Sequence, residues 1–140
     1  RELEWHYLED KEHSSMKYYT QKLLEIYNKY PCLSENDNNW KSFEWINADD
    51  KDRSIYSYMR KSENGRNNIL NMTPMERKDY QLGVDKKKKY KLLLNSDDVD
   101  FGGNGGTIPK EITAKAVKCD NKPYSLTFDL PAYGAALFLF

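Results

Sequence analysis

Cysteine is nearly missing from this chain of 140 residues: Cys32 and Cys119 stand far apart and in no CxxC spacing. Neither a disulfide framework nor a paired-cysteine metal motif is available, and two lone cysteines fit reduced thiols in the cytosol. Net charge is missing too. Lys plus Arg and Asp plus Glu both number 22, which argues against a dedicated nucleic-acid binder, whose phosphate contacts demand a basic excess. No apolar run approaches the ~20 residues of a membrane-spanning helix. The longest candidate, residues 135–140, has only the length of a strand. There is no basic-then-apolar signal peptide. There is also no initiating Met: the chain begins Arg-Glu-Leu-Glu-Trp, which reads like the interior of a longer protein, so a fragment is expected. Histidine is scarce. His6 and His13 lie near the start with no nucleophile elbow beside them, so exposed or packing roles are expected of both.

What is present suits one compact domain with an extra helix at one end. A chain this long buries roughly two thirds of its unfolded surface and needs no staple. Apolar side chains at Met16, Tyr19, Leu23, Ile26 and Tyr30 recur at spacings that line one face of an amphipathic helix. Ser14 or Ser15 is placed to cap it, and Pro31 stops it. From residue 40 onward the pattern changes to short strands: WKSFEWIN, SIYSYMRK, NNILNMT, DYQLGV, KYKLLLN, ITAKAV, YSLTFDL and YGAALFLF. Asn64-Gly65 marks a hairpin between the second and third. The lysine run at 86–89 reads as a solvated hairpin turn whose like charges resist edge aggregation. The expected fold is mainly β, an antiparallel β-sandwich of about eight strands preceded by the helix.

The stretch DDVDFGGNGG at 97–106 invites a phosphate or calcium reading. It fits neither a P-loop nor GxGxxG, because Thr107 and Ile108 follow the glycines and no helix comes after. An EF-hand register fails as well, with Pro109 where the bidentate Glu belongs. A looser oxygen site at Asp97, Asp98 and Asp100 stays open beside the alternative that the glycines supply positive-φ turns. No metal or cofactor is expected. Glu44, Asp49, Asp50 and Asp52 surround a turn, where acids are normally solvated.

Sugar rings pack their CH faces on aromatic side chains flanked by hydrogen-bonding groups. Trp40 and Trp45, with Asn38, Asn39, Glu44 and Asn47 nearby, offer that combination. In a strand, Phe43 and Trp45 share one face while Glu44 and Ile46 share the other. Core packing of Phe43 and Trp45 is the competing reading.

Taken in order, LEWHYLED, a helix ending in YPCL, SFEWINADDKDRSIYSYMRK, NMTPMERKDYQLGV, KLLLNSDDVDFGGNGG and KPYSLTFDLPAYGAALF resemble the C-terminal part of bacterial 1,4-α-glucan (glycogen) branching enzymes of the α-amylase superfamily. The resemblance covers essentially the whole chain. It implies that residues 1–33 are the last segment and helix of a (β/α)8 catalytic barrel, and that 34–140 form the C-terminal all-β sandwich. It implies a parent that cuts an α-1,4-glucan and transfers the segment to a 6-hydroxyl, making the α-1,6 branches of glycogen by a retaining mechanism with two carboxyl groups. Those carboxyl groups belong at the ends of barrel strands. No position here matches them, so this chain alone is expected to be inactive and to cap and stabilise the barrel. The implied partners are that barrel and, through the full-length enzyme, an α-glucan such as glycogen or amylose. Nucleic acid and membrane are not expected, and the implied location is cytoplasmic. Through the FEW motif, the resemblance marks Trp45 as glucan-facing and makes no residue here catalytic; Trp40 and Glu44 stand beside it as glucan-binding candidates on the residue chemistry above. The chain departs from the family in a shorter loop after Phe101 and in Met75-Glu76 where Val-Pro is usual. Two alternatives remain: an autonomous glucan-binding module, and the cap of another α-amylase-family enzyme.

Overall fold

A computed structural model describes residues 2–36, 38–50, 55–62, 68–73 and 75–140. One helix, α1 (Lys11–Lys29), precedes eight strands: β1 (Phe43–Asp50), β2 (Ile55–Arg60), β3 (Asn68–Thr73), β4 (Arg77–Val84), β5 (Lys89–Asn95), β6 (Glu111–Thr113), β7 (Tyr124–Leu130) and β8 (Gly134–Leu139). Asn64-Gly65, Asp52 and Pro74 lie outside the described residues. The strands flanking Asn64-Gly65 do pair antiparallel, with Arg60 opposite Asn68.

The helix starts earlier than the serines indicate. Asp10 occupies the N-cap, and the Ser14 N–H already bonds to the Asp10 carbonyl at 3.0 Å. The Ser14 hydroxyl donates to the Lys11 carbonyl at 2.9 Å, inside the helix. The 3-10 turn Trp5–Glu9 delivers the chain directly into the first helical turn, which overrides the local capping preference of the serines. The other end is as expected. Tyr30 is extended, with φ −116° and ψ 97°, the conformation that the following proline imposes.

The strands form two antiparallel sheets, one in the order β1-β2-β3-β8-β5-β6 and one of β4 and β7. Between them lies the core. Leu82, Val84, Leu126, Phe128 and Leu130 of the small sheet meet Ile46, Ile55, Met59, Tyr90 and Phe138 of the large one, each strand giving alternate residues. Strand β8 sits in the middle of the large sheet and is apolar on both faces. Phe138 is fully buried toward the core, and Leu137 is 7% exposed on the opposite face, beneath α1. Burial on both faces explains why YGAALFLF carries no polar alternation.

Two expectations about connections change. The lysines at 86–89 are exposed, but they do not turn a hairpin: β4 pairs with β7, whereas β5 pairs with β6 and β8. The run crosses from one sheet to the other because Tyr90, immediately after it, is wholly buried between them. The Tyr90 hydroxyl donates to the Lys86 carbonyl at 3.0 Å, and burial pushes its phenol up to about 12. Of ITAKAV only Ile112 and Thr113 fall in a strand, the three-residue β6, after which the Ala114 N–H bonds to the Lys88 carbonyl and Lys115 bridges to Ser125.

Helix α1 lies over the outer face of the large sheet, leaving a cavity of about 390 Å³ between Tyr19, Leu23 and Ile26 on one side and Tyr58, Leu94 and Leu137 on the other. The helical stripe is therefore only partly covered. Met16 is 62% exposed, and Leu24 and Tyr27, which also line this cavity, are partly exposed. Among the described residues no helix is long and apolar enough to cross a membrane.

Candidate functional site

The site begins where the chain turns into β1. Asn39 accepts a hydrogen bond from the Lys41 N–H at 3.0 Å, opening the 3-10 turn Trp40–Ser42. The buried Ser42 hydroxyl lies 2.8 Å from the carbonyls of both Asn36 and Asn39. This small knot fixes the entry into the strand and leaves the Trp40 ring 86% exposed.

Along β1 the predicted division of faces holds. Ile46 joins the core, while Phe43 and Trp45 cluster on the outer face with Tyr58 of β2. Ring centroids are 5.1 Å apart for Phe43 and Trp45, 5.2 Å for Phe43 and Tyr58, and 5.8 Å for Trp45 and Tyr58. Trp45 is 49% exposed, so it belongs to a surface cluster and not to the core between the sheets. Trp40, Trp45, Phe43, Asn38, Asn39 and Arg60 line an open groove of about 520 Å³. Apolar ring faces beside amide and guanidinium donors can hold a polyhydroxylated ligand.

Glu44 is elsewhere. Its carboxylate lies behind the strand, paired with Lys61 and Lys122, and Lys122 also reaches Asp85 at 3.0 Å. Burial pushes the Glu44 carboxyl up, but the hydrogen bonds and charges of Lys122 and Lys61 outweigh that and hold it below its ordinary value. The structure thus brings Trp40 and Trp45 to one groove and places Glu44 on the reverse face.

A β-bulge follows Trp45. Trp45 stands opposite Tyr58 and Asn47 opposite Ser57, with Ile46 the extra residue. Strict alternation would aim Asn47 outward beside Trp45; the bulge turns it to the side of Glu44. There the Asn47 amide donates to Asp120 Oδ1 at 3.0 Å, while the Gly83 N–H donates to Asp120 Oδ2 at 2.8 Å. Gly83 is obligatory at this close approach, since a Cβ would lie 2.3 Å from the Cys119 carbonyl oxygen. Asp120 and Asn121 both have positive φ, at 49° and 59°, in a tight turn closed by pairing of Cys119 with Lys122. The Asp-Asn dipeptide is a sequence signal for such a turn. Its contact with β1, 73 residues away, has no local signal, and neither does the arrival of Arg60 at the groove.

The glycine loop is built around Asp97. This carboxylate is 9% exposed and accepts the N–H groups of Asn104 at 2.9 Å and Gly106 at 2.8 Å. Gly102 and Gly105 take positive φ, 83° and 80°, as the turn reading requires. A Cβ on Gly103 would lie 2.4 Å from the Asp97 carbonyl carbon. Asp98 accepts from the Asp100 N–H at 3.1 Å, capping the short turn that carries Phe101 onto Tyr19 of α1, 5.2 Å between centroids. His13 stacks on Tyr7 at 5.3 Å and stands 3.5 Å from Asp10. Cys32 is buried and Cys119 half-buried, neither in a disulfide.

Comparison with known proteins adds an independent line. The profile of the alpha amylase C-terminal all-beta domain matches residues 45–140. Over its full length the chain is 52% identical to the 1,4-alpha-glucan branching enzyme GlgB of Butyrivibrio fibrisolvens, covering 22% of that protein. It is 36% identical to the enzyme of that name from Cereibacter sphaeroides, over 92% of this chain and 18% of the relative. For Geobacillus stearothermophilus the identity is 30%, over 97% of this chain and 22% of the relative. The chain therefore spans only about a fifth of the length of these relatives.

Proposed function

The chain belongs to the alpha-amylase C-terminal all-beta domain family, and on that premise we propose that it is the C-terminal portion of a 1,4-alpha-glucan branching enzyme. The observation that carries this reading is similarity along the whole chain, at 52% identity, to a branching enzyme more than four times as long. In this reading residues 1–33 finish the catalytic barrel and 34–140 form its cap. The exposed apolar side chains of α1, including Met16, Leu24 and Tyr27, would then contribute to the surface on which the rest of the barrel packs. The parent, in the cytoplasm, breaks an α-1,4 bond, holds the glycosyl unit on a carboxylate and passes it to a 6-hydroxyl. Both reacting carboxyl groups lie in the remainder of the parent.

Amylose stained with iodine tests this. The chain alone leaves the absorbance unchanged. Joined behind the barrel of its parent, it supports a fall in absorbance together with new α-1,6 linkages. A joined enzyme that shortens amylose without forming such linkages would make this the cap of another α-amylase-family enzyme.

A second reading, glucan contact by the chain itself, is favoured by the exposed rings of Trp40 and Trp45 around one groove. Trp45, Phe43 and Trp40 would supply its ring faces, whereas Glu44, paired with Lys61 and Lys122 behind the strand, would not touch the sugar. Electrophoresis through glycogen-containing gels should retard the chain. Trp45→Ala should weaken retention about tenfold with the fold unchanged by circular dichroism. Equal mobility with and without glycogen would rule out binding by the chain alone.

A further inference from the structure

We propose that the tight turn at residues 119–122 is a positioning element that sets the aromatic face of β1, with Asp120 and Lys122 as its working residues. For its consequence in glucan binding, this rests on the second reading above. Its structural half stands on the geometry alone. The bulge at Ile46 is a place where β1 departs from regular pairing with β2, and an extra residue lets a strand bend and re-aim its neighbours. Two bonds from the one turn straddle that bulge. Lys122 holds Glu44 on one side of it, and Asp120 holds Asn47 on the other at 3.0 Å. The turn is itself anchored to the second sheet, through Asp120 to the Gly83 N–H at 2.8 Å and through Lys122 to Asp85 at 3.0 Å. Trp45, between Glu44 and Ile46 on the opposite face, therefore takes its orientation from contacts made behind the strand. In front, Trp45 is half exposed and meets the rings of Phe43 and Tyr58.

The Lys122 side chain is 11% exposed, so its pairing is less screened than that of a surface lysine. Asp120 uses both oxygens, one for each sheet, so removing it breaks one of the two polar links between β1 and β4, the other running through Lys122. Glu44 thereby has a role as a positioning residue that does not require it to touch sugar.

Fluorescence is read in this chain with Trp5→Phe and Trp40→Phe, so that Trp45 is the only indole, and retention in glycogen is read with Trp5 and Trp40 kept. Asp120→Ala and Lys122→Met should each raise acrylamide quenching of Trp45, shift its emission to the red and weaken retention in glycogen roughly threefold. Lys122→Arg should restore all three. Ile112→Val, a core change on the far edge of the same sheet, should lower the melting temperature without altering Trp45. That control separates positioning from general destabilisation. Unchanged quenching in folded Asp120→Ala and Lys122→Met chains would overturn the proposal; if Asp120→Ala does not fold, Lys122→Met decides. Altered quenching with unchanged retention, where Trp45→Ala does weaken retention, would overturn the link to binding. If Trp45→Ala itself leaves retention unchanged, the glucan reading fails instead, and quenching still decides the positioning role.

Discussion

Phe138→Ala should lower the unfolding free energy by about 3–5 kcal/mol. Its ring is fully buried in the central strand of the large sheet and meets Phe128 of the small sheet at a centroid distance of 5.1 Å. Truncation loses the transfer energy of a phenyl group and leaves a cavity where the two sheets meet. Neighbours cannot close it without moving β8, which is bonded to β3 and β5 on either side. A domain of this size has roughly 5–15 kcal/mol in total, so the variant should retain a small margin at best. Urea unfolding followed by circular dichroism should show a much lower midpoint with a similar slope. Phe138→Leu, which fills part of the cavity, should fall between. A midpoint equal to that of the unaltered chain would mean that the sheets do not pack through Phe138.

Asp97→Ala should cost about 3 kcal/mol and act first on the loop. The carboxylate satisfies the Asn104 and Gly106 N–H groups at a position largely closed to water, and charge-assisted bonds of this kind are among the stronger ones. Asn offers no repair, because one of its two terminal atoms would present a donor to a donor. The loop carries Phe101 against Tyr18 and Tyr19 of α1, so its loosening should also release that side of the helix. Hydrogen exchange would show faster exchange at Asn104 and Gly106, then in the middle of α1. Exchange as slow as in the unaltered chain would show that the loop holds its shape without the carboxylate.

Several features were legible because they depend on near neighbours. Pro31 ends α1 through its own ring geometry. Alternation along β1 put Trp45 and Ile46 on opposite faces, and the glycines of the 97–106 loop announced their positive-φ turns. Legibility failed where a distant partner decided. Ser14 and Ser15 are good caps in isolation, yet the turn Trp5–Glu9 starts the helix at Lys11. The lysine run looks like a hairpin because nothing local reveals that β5 pairs with β8. Glu44 sits beside Trp45 in the sequence, but its two lysine partners are 17 and 78 residues away.

By itself, then, the order of apolar and turn residues determined that the chain would be one helix followed by short antiparallel strands, and which side of each strand would seek the core. Those outcomes follow from the 3.6-residue and two-residue periods of the backbone and from the limits on φ at proline and glycine. The tertiary structure alone decided which strands share a sheet, that the Asp120 turn would brace β1, and that Trp40 and Trp45 would meet Arg60 around one groove. Pairing and bracing are contacts between segments tens of residues apart, selected by how the two sheets bury their faces together. No local pattern encodes that choice.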